Sequence, residues 1–255
     1  MGRITDYPAL VGVFSFVALS FSTWIGATVF RKRWPLRQGS REDFGVILPA
    51  TLTLLGLLLG FSFSMAANRY DQRKNFEEQE ANAIGTEYVR ADLLPPADAA
   101  KVRELLKNYL DQRITAYLAH NDREVRQIDE QVAQSQSALW AAVLGPGRAQ
   151  PTSTVALVVT GMNEVIDAQG YARAALWNRI PTGAWALLAV IAVLCSVLIG
   201  YSEHTIAPKS VLLLILPFVV SVSLFLIADI DTPRGGVIRV FPHDLTALAE
   251  SLRAP

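Results

Sequence analysis

The chain has 255 residues, 51% of them hydrophobic, with 23 basic and 23 acidic side chains and a formal net charge of zero. Its mean hydropathy of +0.29 places it outside the ordinary soluble class and makes a membrane the first hypothesis. The even charge leaves no basic surface for nucleic acid, and the single cysteine, Cys195, excludes a disulfide framework or a cysteine metal site within one chain.

Tyr7 to Phe30 is apolar apart from small hydroxyls, and at 1.5 Å per residue it is long enough for a hydrocarbon core of ~30 Å. A cleaved leader is the rival reading. The stretch exceeds the usual leader core, however, and is followed by charges instead of a small-residue cleavage site. Arg31, Lys32, Arg33, Arg37 and Arg41 crowd the next connection, with Trp34 and Pro35 where an interfacial anchor and a helix stop belong. A second span is predicted over Phe44 to Ala67. Its helical pattern continues through Asn68, Arg69, Tyr70 and Asp71, so this helix should project well past the bilayer.

From Arg69 to Asn178 the chain is polar, and helices are expected near Arg69–Leu93, Ala97–His120, Asp122–Leu144 and Thr152–Arg179. They are separated by Pro95–Pro96, His120–Asn121–Asp122 and Gly145–Pro146–Gly147. Val102, Leu105, Leu106 and Tyr109, then Ile114 and Leu118, repeat at helical spacing, which predicts a small bundle. Two further spans, Thr182 to Ser202 and Val211 to Ile230, are joined by a short loop with Glu203, His204, Pro208 and Lys209.

The expected fold is therefore all-α, with four transmembrane helices and a helical extramembrane domain between the second and third. Its expected segments are 1–67 (the first two spans), 68–180 (the domain), 181–230 (the last two spans) and 231–255, a tail packing on the domain. An even number of spans puts both termini and the domain on one side. Basic residues gather in the short loops, which places those loops in the cytoplasm and the domain and termini outside. The opposite side carries Arg3, Arg69, Arg73, Lys74, Arg173, Arg179, Arg234 and Arg239, but most flank a long domain, which translocates largely regardless of charge.

On the second span Thr53, Leu57, Gly60, Phe61, Ser64 and Asn68 recur at intervals of three or four and share one face. Hydroxyls that hold water, beside bulky groups that close a path by dewetting, suit a pore lining. Small residues equally suit close helix packing, and Gly56 with Gly60 is a GxxxG. The mixed-sign run Arg69, Asp71, Arg73, Lys74, Glu77, Glu78 and Glu80 reads either as a pore mouth, with Arg69, Asp71 and Arg73 nearest the membrane, or as a solvated helix face. After the last span, Asp229 and Asp231 should find Arg or backbone partners, because unpaired acids at a membrane boundary are costly. A short extended piece, Val237–Val240, and a final helix, Asp244–Arg253, are expected to follow. His120, His204 and His243 are far apart, and no GxSxG, Walker loop, GxGxxG or HExxH is present. No catalytic residue, metal or cofactor is expected.

LGFSFSMAANRYDQRKN at Leu59–Asn75 resembles the pore-lining helix of bestrophins in its LGF, an Arg nine positions past the Gly and the aromatic after it. The segments WPLRQGSRED, EEQEANAIGTEYVRADLLP and DIDTPRGGVIRV resemble the bacterial bestrophin-like domain family over most of the chain. Bestrophins are pentameric ion channels, so the resemblance implies a homo-oligomer, small inorganic ions as the passing species, membrane lipid as surroundings, and a neck formed by Thr53, Leu57 and Phe61. Only Phe61 keeps the aromatic character of that neck, and the calcium-binding acidic cluster of animal bestrophins has no match. Bestrophins keep their termini and extramembrane helices in the cytoplasm, opposite to the charge reading. Here we retain the charge reading for topology and the resemblance for architecture.

Overall fold

The structure, a computed structural model, describes residues 4–34, 38–119, 122–149, 151–202 and 211–253. Pro35 and Arg37 of the basic connection, the His120–Asn121 turn, and Glu203, His204, Pro208 and Lys209 lie outside the described residues. All regular structure among the described residues is helical, with the main helices α1 Pro8–Ile25, α2 Gln38–Arg90, α3 Pro96–Leu118, α4 Asp122–Ala149, α5 Ser153–Trp177, α6 Thr182–Ser202, α7 Ile215–Asp231 and α8 His243–Arg253. Four stretches are long and apolar enough to cross a membrane, lying in Pro8–Arg33, Glu42–Leu93, Ser153–Ser202 and Val211–Asp231.

Two compact units divide the chain, one of Met1–Arg69 with Arg179–Arg239, the other of Tyr70–Asn178 with Val240–Pro255. Helix α2 contributes to both. Its 53 residues make it about 80 Å long, more than twice a bilayer core of ~30 Å. Its apolar part ends at Ala67, so the residues from Arg69 onward are outside the membrane-spanning segment.

In the first unit α1 packs on α6 and α7 around Leu19, Leu55, Leu188, Ala192, Cys195, Val220 and Leu224. Pro8 starts α1, where a missing N–H costs nothing. The helix then widens into a π turn at Gly26–Phe30 before Arg31–Arg33. That widening coincides with a backbone crossing: a Cβ on Gly26 would lie 2.2 Å from the Val197 carbonyl oxygen, and one on Gly200 would lie 2.0 Å from that of Thr23. Small residues allow such an approach, and dispersion between the two backbones holds it.

The second unit closes around Ile84, Val102, Leu106, Tyr109, Leu110, Leu139, Met162 and Leu245. Thr152 caps α5, its hydroxyl oxygen accepting the Val155 N–H at 3.2 Å. Helix α8 lies against α3, with Leu245 fully buried.

Two local expectations differ. Gly145–Pro146–Gly147 does not stop α4 at Leu144; the helix runs through Pro146 to Ala149. Pro146 falls in its last turn, where the lost N–H costs one helical hydrogen bond and little that follows is left to disrupt. Val237–Val240 forms no strand, and no strand occurs among the described residues. The N–H groups of Val237 and Ile238 are used instead by the Asp229 carboxylate, each at 2.8 Å.

Candidate pore-lining face

Thr53, Leu57, Gly60, Phe61, Ser64 and Asn68 all lie on the exposed side of α2, whereas Leu55, Ser62 and Ala66 are buried on the other. Phe61 is 62% exposed and Leu57 52%, high values for large apolar side chains, which need lipid or another chain against them. Only 6% of the apolar window of α2 is buried within the chain, against 22, 28 and 39% for the other three. Gly56 and Gly60 have nothing within 4 Å of where a Cβ would stand, so whatever covers this face is not the chain's own first unit.

The hydroxyls on α2 are partly committed. Pro49 sits inside the helix without an N–H. Thr53 donates to the Pro49 carbonyl at 2.8 Å and Thr51 to the Ile47 and Leu48 carbonyls at 3.0 and 2.9 Å. The donating proton of Thr53 is thus turned back to the helix, leaving oxygen lone pairs outward.

Of the three mouth candidates, only Asp71 is exposed. Arg69 is half-buried and donates to Asp231 at 3.3 Å. Arg73 is 4% exposed and belongs to the core side, with Glu77 and Glu80. The mixed-sign run therefore splits by helical phase: Asp71, Lys74 and Glu78 face out, while Arg73, Glu77 and Glu80 face in.

The sequence reading stopped at Asn68. In the second unit the exposed side of α2 carries Gln72, Asn75, Gln79 and Asn82, four carboxamides at spacings of three and four. That spacing was available in the sequence but was hidden among the charges.

The acids at the end of α7 have the partners their position requires. Asp231 accepts from Arg69 and from the Ile180 N–H at 3.1 Å. Asp229 takes the two amides of the following loop. Asp6 pairs with Arg179, and the Thr232 hydroxyl donates to the Thr5 carbonyl at 2.8 Å.

In the second unit the inward carboxylates of α2 are met differently: Glu80 and Glu77 have partners on other helices, and Glu87 has no hydrogen bond. Glu80 is fully buried and forked by Arg113, with a 3.3 Å bond from Nη2 to Oε2, and the Tyr117 hydroxyl donates to it at 3.4 Å. Glu77 accepts the Leu245 N–H at 3.0 Å, in the first turn of α8. Burial pushes Glu77 up to about 7 despite that bond. Glu87 is 0% exposed and neither carboxylate oxygen has a hydrogen-bond partner.

These features define a polytopic helical membrane protein whose longest helix presents an unpartnered, hydroxyl-bearing face. The Bestrophin-like domain family matches residues 13–245, and the chain belongs to that family. Its fold is that of a bacterial bestrophin homologue from Klebsiella pneumoniae. The crystal structure of that homologue phased on zinc has a TM-score of 0.63 at 15% identity, covering 94% of this chain and 95% of the other. A tyrosine-to-alanine variant of it gives 0.65, and an aspartate-to-alanine variant 0.66, each at 14% identity over 94% and 97% of the two chains. No curated protein matches this chain.

Proposed function

We propose that the chain forms a homo-oligomeric ion channel, a pentamer by its resemblance to bestrophins, in a bacterial plasma membrane. The observation that carries this reading is the exposed face of α2 within the least buried of the four spans. Around a central axis, Thr53, Gly60, Ser64 and Asn68 form a wettable wall, and rings of Leu57 and Phe61 form a neck that closes by dewetting. In the second unit Gln72, Asn75, Gln79 and Asn82 form a polar face of their own on α2, and Asp71 is the exposed acid that follows the span. Backbone groups of the spans are already satisfied in the helices, so passing ions meet hydroxyls, carboxamides and water.

The deciding experiment is a planar bilayer under a potassium chloride gradient with wild type and Phe61→Ala. Discrete currents, enlarged about tenfold or left open by the substitution, are expected if removing the ring lowers the neck barrier by about 1.4 kcal/mol. Silence in both proteins, together with a monomeric mass in native nanodiscs, would replace the channel by a membrane-anchored helical sensor or scaffold.

For topology we propose that the second unit and both termini lie outside. Ser137 is exposed on α4, so Ser137→Cys in a Cys195→Ser background should react with an impermeant thiol reagent in intact cells. Protection there reverses the orientation.

A further inference from the structure

Glu87 lies on the core side of α2, and its carboxylate sits under Gly161 of α5. A Cβ at Gly161 would stand 2.0 Å from Oε2 of Glu87 and 2.4 Å from Nη1 of Arg90, so the absent side chain is what leaves room for both. Arg90, one turn along α2, is occupied elsewhere: its Nη1 donates to Oε2 of Glu164 at 2.9 Å. Glu164 is 54% exposed, whereas Glu87 is fully buried and makes no hydrogen bond. The charged groups that act on Glu87 are Arg90 from its own helix and Glu164 from α5. Arg103 of α3 is engaged on Asp92 and the Tyr88 carbonyl. One guanidinium thus stands within reach of two carboxyl groups and holds the wetter one.

An ionised, unpaired carboxylate in that position would cost several kcal/mol. The arrangement is consistent only with a neutral Glu87, and burial raises it to about 8. Arg90 lowers that value and Glu164 raises it, as expected if the two acids compete for one cation.

We propose that Glu87, Arg90 and Glu164 form a proton-operated exchange of ion-pair partners between α2 and α5. While Glu87 carries its proton, Arg90 holds Glu164. When the proton leaves to solvent, Arg90 releases Glu164 to water and pairs with Glu87 in the slot that Gly161 leaves open. Protonation thereby decides whether α2 and α5 are joined by a surface ion pair or by a buried one, and the free carboxylate of Glu164 appears at the surface only in the alkaline state. The exchange does not depend on ion passage.

The test is the protonated-acid carbonyl band in pH-difference infrared spectra of the full chain in nanodiscs, with folding checked by circular dichroism. Wild type should lose such a band in two components, one from Glu77 with a midpoint near pH 7 and one from Glu87 near pH 8, and Glu87→Gln should lack the second only. Glu164→Gln should lower the Glu87 midpoint by about one pH unit, because Arg90 is then uncontested, and Arg90→Gln should raise it. In an Arg90→Gln background the effect of Glu164→Gln should shrink, since there is no longer a cation to exchange. A component near pH 8 that survives in Glu87→Gln, or a Glu87 component with its midpoint in the ordinary carboxylate range, overturns the proposal. So does an equal effect of Glu164→Gln with and without Arg90, which would mean fixed repulsion rather than exchange.

Discussion

The two halves of α2 bury opposite things. Up to Ala67 the helix hides Leu55 and Ala66 but shows Leu57, Phe61 and Phe63. Beyond Tyr70 it hides Arg73, Glu77, Glu80 and Glu87 beside Ile84, and shows Gln72, Asn75, Gln79 and Asn82. One backbone geometry serves both because the surroundings differ. Where the outward side meets lipid or copies of the chain, large apolar groups carry no solvation cost outside. Where it meets water, carboxamides face out, and of the acids inside Glu77 and Glu80 are held by partners on other helices, while Glu87 makes no hydrogen bond. Exposure of a side chain therefore has to be read against what lies around each half, and mutations should have different consequences in the two.

The largest expected effect is in the charged half. Arg113→Gln leaves the fully buried Glu80 without its cation and should destabilise the protein by about 3–5 kcal/mol, measured by chemical denaturation of the full chain in micelles. Replacing both partners with apolar residues of similar volume should recover most of that loss, because no buried charge is then left unpaired. A loss of under about 1 kcal/mol for Arg113→Gln would mean that water reaches Glu80, and the contrast between the halves would weaken.

How much of this was legible follows from the same contrast. Long apolar runs announce themselves, so the four expected spans each fall within or against one of the four stretches long and apolar enough to cross a membrane, and Thr182–Ser202 is a helix with those bounds. The need of Asp229 and Asp231 for partners could also be foreseen, since an acid beside a membrane cannot stay bare. The inward charges of α2 could not. Arg73, Glu77 and Glu80 follow the same spacing as a core face, but a hydropathy pattern assigns charges to the surface unless their partners are known. Arg113, 33 residues from Glu80, carries no local sign of the pairing. Gly161 is equally silent in sequence, because what it accommodates is brought by another helix.

The next effect belongs to the apolar half. Gly200→Ala would put a methyl group 2.0 Å from the Thr23 carbonyl oxygen and 2.9 Å from the Ala27 nitrogen. Both are backbone atoms that cannot swing away, so α1 and α6 must separate, at an expected cost of about 2 kcal/mol in the same unfolding assay. Gly56→Ala is the matched contrast, since nothing of the chain lies within 4 Å. In an isolated chain it should be neutral or stabilising by up to about 1 kcal/mol through helix propensity. A loss there that appears only in the assembled protein would show another copy packed on this face.

Glu87→Gln sharpens the comparison through pH. The folded state holds the Glu87 proton up to about pH 8, whereas the ordinary value is 4.5. The folded form therefore binds more protons than the unfolded one between those values. The contribution of this group to stability is complete below pH 4.5, declines as pH rises to about 8 and is level above it. The slope is at most about 1.4 kcal/mol per pH unit. Glutamine has no proton to lose, so the variant should be more stable than wild type at pH 7.5, with the gain vanishing as pH falls toward 4.5. A difference that does not change with pH would assign the effect to packing.

The smallest effect concerns Tyr117, whose hydroxyl donates to Glu80 over a long 3.4 Å. Burial first, and the Glu80 carboxylate second, push this phenol above its ordinary value, so it stays protonated and remains a donor. Glu80 already has the Arg113 fork, which satisfies most of its charge. Tyr117→Phe should therefore cost only about 0.5–1.5 kcal/mol, well below Arg113→Gln. The two losses should not add: once Arg113 is gone, the phenol is the remaining donor to a bare carboxylate, and removing it from that background should cost more than it does in wild type. A double-mutant cycle at positions 113 and 117 measures the difference, and strict additivity would mean that the two donors do not act on the same buried charge.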